Sequence, residues 1–116
     1  MSMGKHREAS SLKPSSFYIL LALAGGPRHG FGILRDVEEQ TNGSVRLWPV
    51  TLYGSLEKLV VSGLIEELGP RARPPGESEK RRYYQLTRQG RAVLHDESGR
   101  LQALARLAQT RLRKVT

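Results

Sequence analysis

The densest group of side chains that could bind a ligand is the segment Lys80-Arg81-Arg82-Tyr83-Tyr84. Consecutive cations beside phenol groups can neutralise and hydrogen-bond phosphate oxygens, which is the chemistry of nucleic-acid backbone binding. In a β-strand alternate residues share a face, so with Tyr84 turned inward, Arg81 and Tyr83 face outward. The segment therefore favours contact with the phosphates or the minor groove of a nucleic acid.

Two other cations of this segment and two of the hairpin tip extend the candidate surface. On the strand, Lys80 and Arg82 reach solvent only toward the hairpin tip, and Arg71 and Arg73 lie within that tip. All four are predicted to join the phosphate contacts. The alternative is that charges on an exposed strand edge only prevent aggregation.

A second polar surface is expected on the helix that begins at Pro49. Its apolar residues recur at helical spacing and leave Thr51, Tyr53, Ser55 and Lys58 on the opposite face. Small hydroxyls, an aromatic ring and a lysine on one helix face suit entry into a major groove. Lys58 lies late in the helix and suits a phosphate, whereas Tyr53 could instead pack against the preceding helix.

The segment Arg28-His29-Gly30 lies at the expected start of the second helix. Free backbone N–H groups at a helix N-terminus attract anions, so Arg28 and His29 are further candidates for a phosphate contact. His29 could equally be a local helix cap, which is the commoner role.

No arrangement of residues indicates catalysis or a bound cofactor. The chain has no cysteine, and its three histidines lie far apart, without a partner at metal-ligand spacing. The glycines near residue 26 lack the lysine of a P-loop. Asp96 and Glu97 are adjacent on a helix and point in different directions, which makes a poor acid–base pair. We therefore expect no enzyme, no metal site and no cofactor.

The formal charge of +8 is unevenly distributed along the 116 residues. Residues 1–79 hold nine Lys and Arg against nine Asp and Glu, whereas residues 80–116 hold ten against two. The length suits one domain, and the proportions of apolar and charged residues exclude a disordered tail. No apolar run is long enough to span a membrane and no targeting segment is evident. The chain is thus expected to have an anionic partner, and the lack of cysteine is consistent with a cytoplasmic location.

Three helices, a two-stranded hairpin and a long last helix are expected in that order. Proline opens the first helix, residues 14–24, and the third, residues 49–62, while the second covers about residues 29–40. The hairpin strands are residues 64–68 and 80–87, joined by a tip rich in Pro and Gly. Residues expected to point into the core are Phe31, Ile33, Leu34 and Val37 from the second helix, and Leu52, Leu56, Leu59 and Val60 from the third.

The last helix, for which Thr87 is a suitable N-cap, carries a seam of apolar residues at spacings of three, four and seven. A domain this small has little core left to cover such a seam, so a second copy of the chain is the expected cover. The basic residues at the end of the helix are expected to keep its outer side solvated. Dimerisation is assigned to Leu94, Leu101, Leu104, Ala105, Ala108 and Leu112.

This order of elements predicts a mainly α (α+β) fold, a winged helix-turn-helix with a two-stranded wing and a C-terminal dimerisation helix. Residues 1–12 would form a flexible arm, residues 13–87 the DNA-binding unit and residues 88–116 the dimerisation helix. Several motifs in this order resemble the PadR-like family of transcriptional regulators. They are His29-Gly30-Phe31, Thr51-Leu52-Tyr53, Leu56-x-x-Leu59, Gly63-Leu64-Ile65, and Arg82-Tyr83-Tyr84-x-Leu86-Thr87-x-x-Gly90.

The resemblance implies a cytoplasmic prokaryotic repressor. It implies a homodimer joined through the last helix, bound to a two-fold symmetric operator in double-stranded DNA and released by a small-molecule effector. Some members of the family hold aromatic ligands with a tryptophan on the dimerisation helix. Here that helix has no aromatic residue, and the only tryptophan is Trp48.

Two other functions fit the same composition. The first is a winged-helix module whose basic face docks an acidic protein. The second is an RNA-binding accessory protein, although two Phe, one Trp and four Tyr offer few rings for base stacking.

Overall fold

The computed structural model describes residues 12–73 and 81–115. Most of the arm expected over residues 1–12, part of the hairpin tip and the candidate Lys80 lie outside the described residues. Three helices come first along the described residues, α1 (Pro14–Ala24), α2 (Gly30–Gln40) and α3 (Pro49–Val61). They are followed by the sheet strands β2 (Ile65–Glu67) and β3 (Tyr83–Leu86) and then by the long helix α4 (Arg88–Val115). The order of these elements is as predicted, and the helix ends agree with the prediction to within one residue. The second hairpin strand is shorter than expected, since it covers Tyr83–Leu86 and not all of residues 80–87. A 3₁₀ turn, Pro70–Ala72, lies in the segment expected to form the hairpin tip.

The helices end and begin at residues whose backbone preferences explain the break. Pro14 and Pro49 each occupy the first turn of a helix, where a missing N–H costs nothing. After α3, Gly63 adopts a φ of 81°, a left-handed conformation that glycine reaches without steric cost. This turn sends the chain directly into β2.

The sheet has one more strand than expected. Strand β1 (Arg28–His29) pairs antiparallel with β3, so the order across the sheet is β1-β3-β2. His29 lies opposite Tyr83, and Ile65 lies opposite Leu86. Because β3 is central, the expected two-stranded wing is tied to the start of α2.

The Thr87 hydroxyl both contacts the α3–β2 turn and caps the first turn of α4. The Thr87 hydroxyl donates to the Gly63 carbonyl oxygen at 2.6 Å and accepts from the Gly90 N–H at 3.0 Å. The predicted cap is therefore confirmed, and it also connects α4 to the rest of the fold. A Cβ at Gly90 would overlap the Leu64 carbonyl oxygen and lie 2.9 Å from its carbonyl carbon, so only glycine fits there.

One apolar cluster lies between the three short helices, the sheet and the first part of α4. Burying each large aliphatic side chain stabilises the fold by about 1.5–3 kcal/mol, so this cluster is the main source of stability. Its members include Ile19, Leu20 and Leu23 of α1, Ile33 and Val37 of α2, Leu52, Leu56 and Leu59 of α3, and Ile65, Tyr84, Leu86 and Leu94. No helix among the described residues is both long enough and apolar enough to cross a membrane.

Four predictions about which way a side chain points are wrong. Phe31 and Val60 were expected in the core but are exposed, since the buried sides of α2 and α3 are narrower than the apolar pattern. Tyr83 was expected to face outward but is only 3% exposed. Leu94 was assigned to the dimer seam, yet it is buried within the core of the single chain.

Replacing Thr87 with valine should lower the free energy of unfolding by about 1–2 kcal/mol. Valine has the shape of threonine but neither donates to Gly63 nor caps Gly90. Urea unfolding at fixed protein concentration measures the change. Thr87→Ser keeps the hydroxyl and should lose much less, and an equal loss in both variants would contradict the assigned role.

Candidate nucleic-acid interface

The predicted polar face of α3 is accessible to a ligand. Thr51, Tyr53 and Lys58 are exposed, and Ser55 is half-buried. Beside Thr51, Ser55 and Lys58 lies an open groove of about 550 Å³ that extends to Lys13 at the start of α1. The exposure expected of this face is therefore confirmed.

Tyr53 both packs against α2 and remains accessible to a partner, so it combines the two positions predicted for it. A Cβ at Gly30 would lie 3.1 Å from the Tyr53 hydroxyl oxygen and 3.4 Å from Leu52 Cδ2, so α3 approaches the start of α2 closely there. Nevertheless Tyr53 remains 58% exposed. Its ring thus rests against α2 while much of its surface stays available to a partner.

His29 caps α2, which confirms the alternative role predicted for this residue. Its Nδ1 accepts a hydrogen bond from the Gly32 N–H at 3.1 Å. On the other side of the ring, Nε2 lies 2.9 Å from Nη1 of Arg81, and the ring meets that of Tyr83 edge-on at 5.2 Å. His29 therefore connects the start of α2 to the residues entering β3.

Arg28 holds the fold together through its side chain. Its Nε donates to the Ala22 carbonyl oxygen at 2.8 Å, and its Nη2 lies 3.4 Å from the Asp36 carboxylate. Arg28 and His29 also pair with β3, so the expectation that their backbone groups form an open helix end is wrong. The guanidinium of Arg28 is committed to joining α1 and α2.

The two described arginines of the basic segment are exposed, unlike Tyr83. Arg81 contacts His29, and Nε of Arg82 lies 3.8 Å from the Glu67 carboxylate while most of its side chain remains in solvent. Below them, burial raises the pKa of the Tyr84 phenol, which the adjacent Arg82 offsets only in part. Tyr84 is therefore an uncharged, buried residue beneath the positively charged surface that Arg81 and Arg82 form.

These residues come together around a cleft of about 330 Å³ between α2, α3 and β3. It is lined by His29, Gly30, Phe31, Tyr53, Arg81, Arg82 and Tyr84. The structure thus places four separately predicted candidates, from three parts of the sequence, on one surface. Among the described residues that line this cleft there are two arginines and no carboxylate, so its charge suits an anion.

The remaining wing candidates lie apart from the cleft. Arg71 is exposed in the 3₁₀ turn, and Arg73 follows it as a half-buried residue. Neither lines the cleft.

Sequence reasoning missed exposed apolar residues beside this surface. Phe31 is 58% exposed and Val50, in the first turn of α3, is 86% exposed. Trp48, directly before α3, is exposed as well. The helical spacing contained a signal for Val50, which falls on the side of α3 opposite Leu52 and Leu56, but no role was predicted for it.

The second half of α4 extends beyond the body of the chain. Every residue from 98 to 114 is exposed, including Leu101, Leu104 and Leu112 of the predicted seam. The last residue of α4 to be buried is Glu97, whose pKa is lowered because its carboxylate accepts a hydrogen bond from Arg100. Leu107 is also exposed although no role was predicted for it.

In the part of the chain that the structure describes, no three His, Asp or Glu residues are close enough together to hold a metal ion.

The model of the Transcriptional regulator PadR-like family matches residues 19–96, about two thirds of the chain. The chain belongs to the PadR-like family of transcriptional regulators. The match runs from α1 through the wing to the first part of α4, so it includes the cleft and the α3 face.

One curated protein is similar in sequence to most of this chain. A Streptomyces fradiae relative, described as an uncharacterized 37.1 kDa protein in transposon TN4556, is 38% identical over 90 residues. That match covers 78% of this chain but only 23% of the relative, so the chain spans about a quarter of that protein.

Two solved PadR structures have the same fold. A PadR family transcription regulator from Clostridium difficile superposes with a TM-score of 0.71 at 22% identity, covering 86% of this chain and 99% of that one. Bacillus subtilis PadR in complex with operator DNA superposes with a TM-score of 0.61 at 25% identity, covering 72% of this chain and 46% of that one. The second structure holds the ligand class that the sequence predicted for this chain.

Proposed function

We propose that this PadR-like chain is a homodimeric repressor that binds a two-fold symmetric DNA operator in the cytoplasm. The observation that carries the proposal is that the exposed α3 face lies next to the cleft, since Tyr53 belongs to both, and that the charged side chains lining the cleft are arginines. Helix α3 would enter the major groove, and the cleft and wing would hold the flanking phosphates. The operator complex of Bacillus subtilis PadR supports this assignment.

The exposed half of α4 supports the proposed dimer. Leucines at helical spacing on a helix that leaves the body of the chain are suited to a self-complementary contact with a second copy. Two copies would present two α3 helices to successive major grooves, about 34 Å apart. The proposed repressor would be released from DNA by a small-molecule effector. Because α4 has no aromatic residue, this effector would not be sandwiched by a ring of the dimerisation helix.

The test is an electrophoretic mobility shift of the full chain with the DNA upstream of its own gene, at moderate salt and with nonspecific competitor. The proposal expects a shifted band that unlabelled specific duplex removes. Competition by single-stranded RNA would instead support the RNA-binding alternative. No shift on any duplex, together with capture of an acidic protein, would support the interaction module.

Arg81→Ala should weaken binding to all duplexes by about tenfold and lower the slope of log affinity against log salt by about one. Arg81 lines the cleft and would neutralise one phosphate. Fluorescence anisotropy over a salt series measures both quantities. Arg106→Ala removes the same charge from the far half of α4 and serves as the control, so equal slopes in the two variants would contradict the cleft assignment.

A further inference from the structure

The recognition surface of α3 lacks the side chains that usually read bases. The helix Pro49–Val61 contains no Arg, Asn or Gln. Arginine pairs with guanine and Asn or Gln with adenine through two hydrogen bonds each, and these contacts supply most direct readout in the major groove. Only Glu57 and Lys58 are charged, and both lie beyond the first two turns of the helix.

The first turn of α3 instead presents apolar carbon to solvent. Val50 is 86% exposed, and Thr51, next to it, is also exposed. In a winged helix the N-terminal part of the recognition helix is the part that reaches the base edges. An isolated valine there contributes nothing to the core, which is formed by the opposite side of the helix at Leu52 and Leu56.

Thymine is the base whose major-groove edge carries an apolar group, the C5-methyl. We infer that Val50, supported by the Thr51 methyl, reads thymine methyl groups in each operator half-site. This inference rests on the proposed function, because it names the bases that the same α3 surface selects. Hydrogen bonds from Thr51 and Ser55 would add to it, since hydroxyls accept and donate to several base edges.

Deoxyuridine isolates the methyl group, because it keeps every hydrogen-bonding atom of thymine and lacks only C5-methyl. The full chain is first used to select duplexes from a randomised library, and each thymine of the selected half-sites is then replaced in turn. At least one replacement in each half-site should weaken binding about fourfold, the value of one buried methyl group. Val50→Ala should weaken binding to the thymine duplex by a similar factor and remove the penalty for deoxyuridine at that position.

Val61→Ala is the matched control. Val61 is 84% exposed, on the same side of α3 as Val50 but about 16 Å further along the helix. It should leave both the affinity and the deoxyuridine penalty unchanged. Both substitutions are at exposed sites and should leave the unfolding midpoint within experimental error of the parent.

The outcomes separate the inference from the function it rests on. Selected duplexes that bind equally well with deoxyuridine at every position would overturn the inference and leave the proposed function standing. A deoxyuridine penalty that persists in Val50→Ala would overturn the assignment to Val50. Failure to select any duplex would overturn the proposed function, and the inference with it.

Discussion

A methyl group at position 90 should lower the free energy of unfolding by about 3 kcal/mol. The added Cβ would overlap the Leu64 carbonyl oxygen and lie 2.9 Å from the Leu64 carbonyl carbon. Both are backbone atoms, which no side-chain rotation can move away. Helix α4 would have to shift away from the α3–β2 turn, and the Thr87 contacts that hold it would be strained with it. Urea unfolding of Gly90→Ala, followed by circular dichroism, measures the loss.

Gly99→Ala is the control for this prediction, because a Cβ built at Gly99 meets no heavy atom within 4 Å outside the neighbouring backbone of its own helix. In the same helix it should raise helix stability by about 1 kcal/mol. If Gly90→Ala is as stable as Gly99→Ala, α4 does not contact Leu64 as described. If Gly99→Ala weakens dimerisation, the partner chain approaches closely at that position.

Leu101→Glu should convert the proposed dimer to monomers at micromolar concentration and lower DNA affinity by more than about 100-fold. Leu101 lies seven residues after Leu94 and so continues the buried side of α4 into its exposed half. By symmetry one substitution would place two charges in the interface. Sedimentation equilibrium and the mobility shift measure the two effects.

Leu107→Glu provides the matched control for the seam. Leu107 is 43% exposed and Leu101 is 39% exposed, but Leu107 lies about 120° around the helix from Leu101. It should leave the oligomeric state unchanged. Dissociation by both substitutions, or by neither, would contradict a dimer built on the predicted seam.

The helices were predictable because their limits depend on local chemistry. Pro14, Pro49 and Gly63 act through their own backbone geometry, and Thr87 caps through its own hydroxyl. Strand β1 was not predictable, since two residues are too few to show an alternating pattern. It is formed only because β3 offers a free edge to residues 28 and 29.

Strand β1, which was not predicted, explains why Tyr83 was wrongly expected to face outward. In a two-stranded wing, one side of β3 would face solvent and Tyr83 would lie on it. With β1 alongside, Tyr83 lies opposite His29 and the imidazole ring covers it, so both Tyr83 and Tyr84 are buried.

The candidate site was predicted as separate residues and not as one surface. Residue types and charge identified His29, Tyr53, Arg81 and Arg82 individually. Their meeting at one cleft depends on long-range packing of α3 against Gly30 and of β3 against β1, which no local pattern encodes. Phe31 was placed in the core because apolar residues are usually buried, and Val50 was given no role.

The central claim is that two copies of this chain place two α3 helices on one face of a symmetric operator. Hydroxyl-radical footprinting of the full chain on a library-selected duplex tests it most directly. Such a dimer should give two equivalent protected half-sites whose centres are about one helical turn, 10–10.5 base pairs, apart. A single protected half-site, or uniform protection without a repeated sequence, would contradict it.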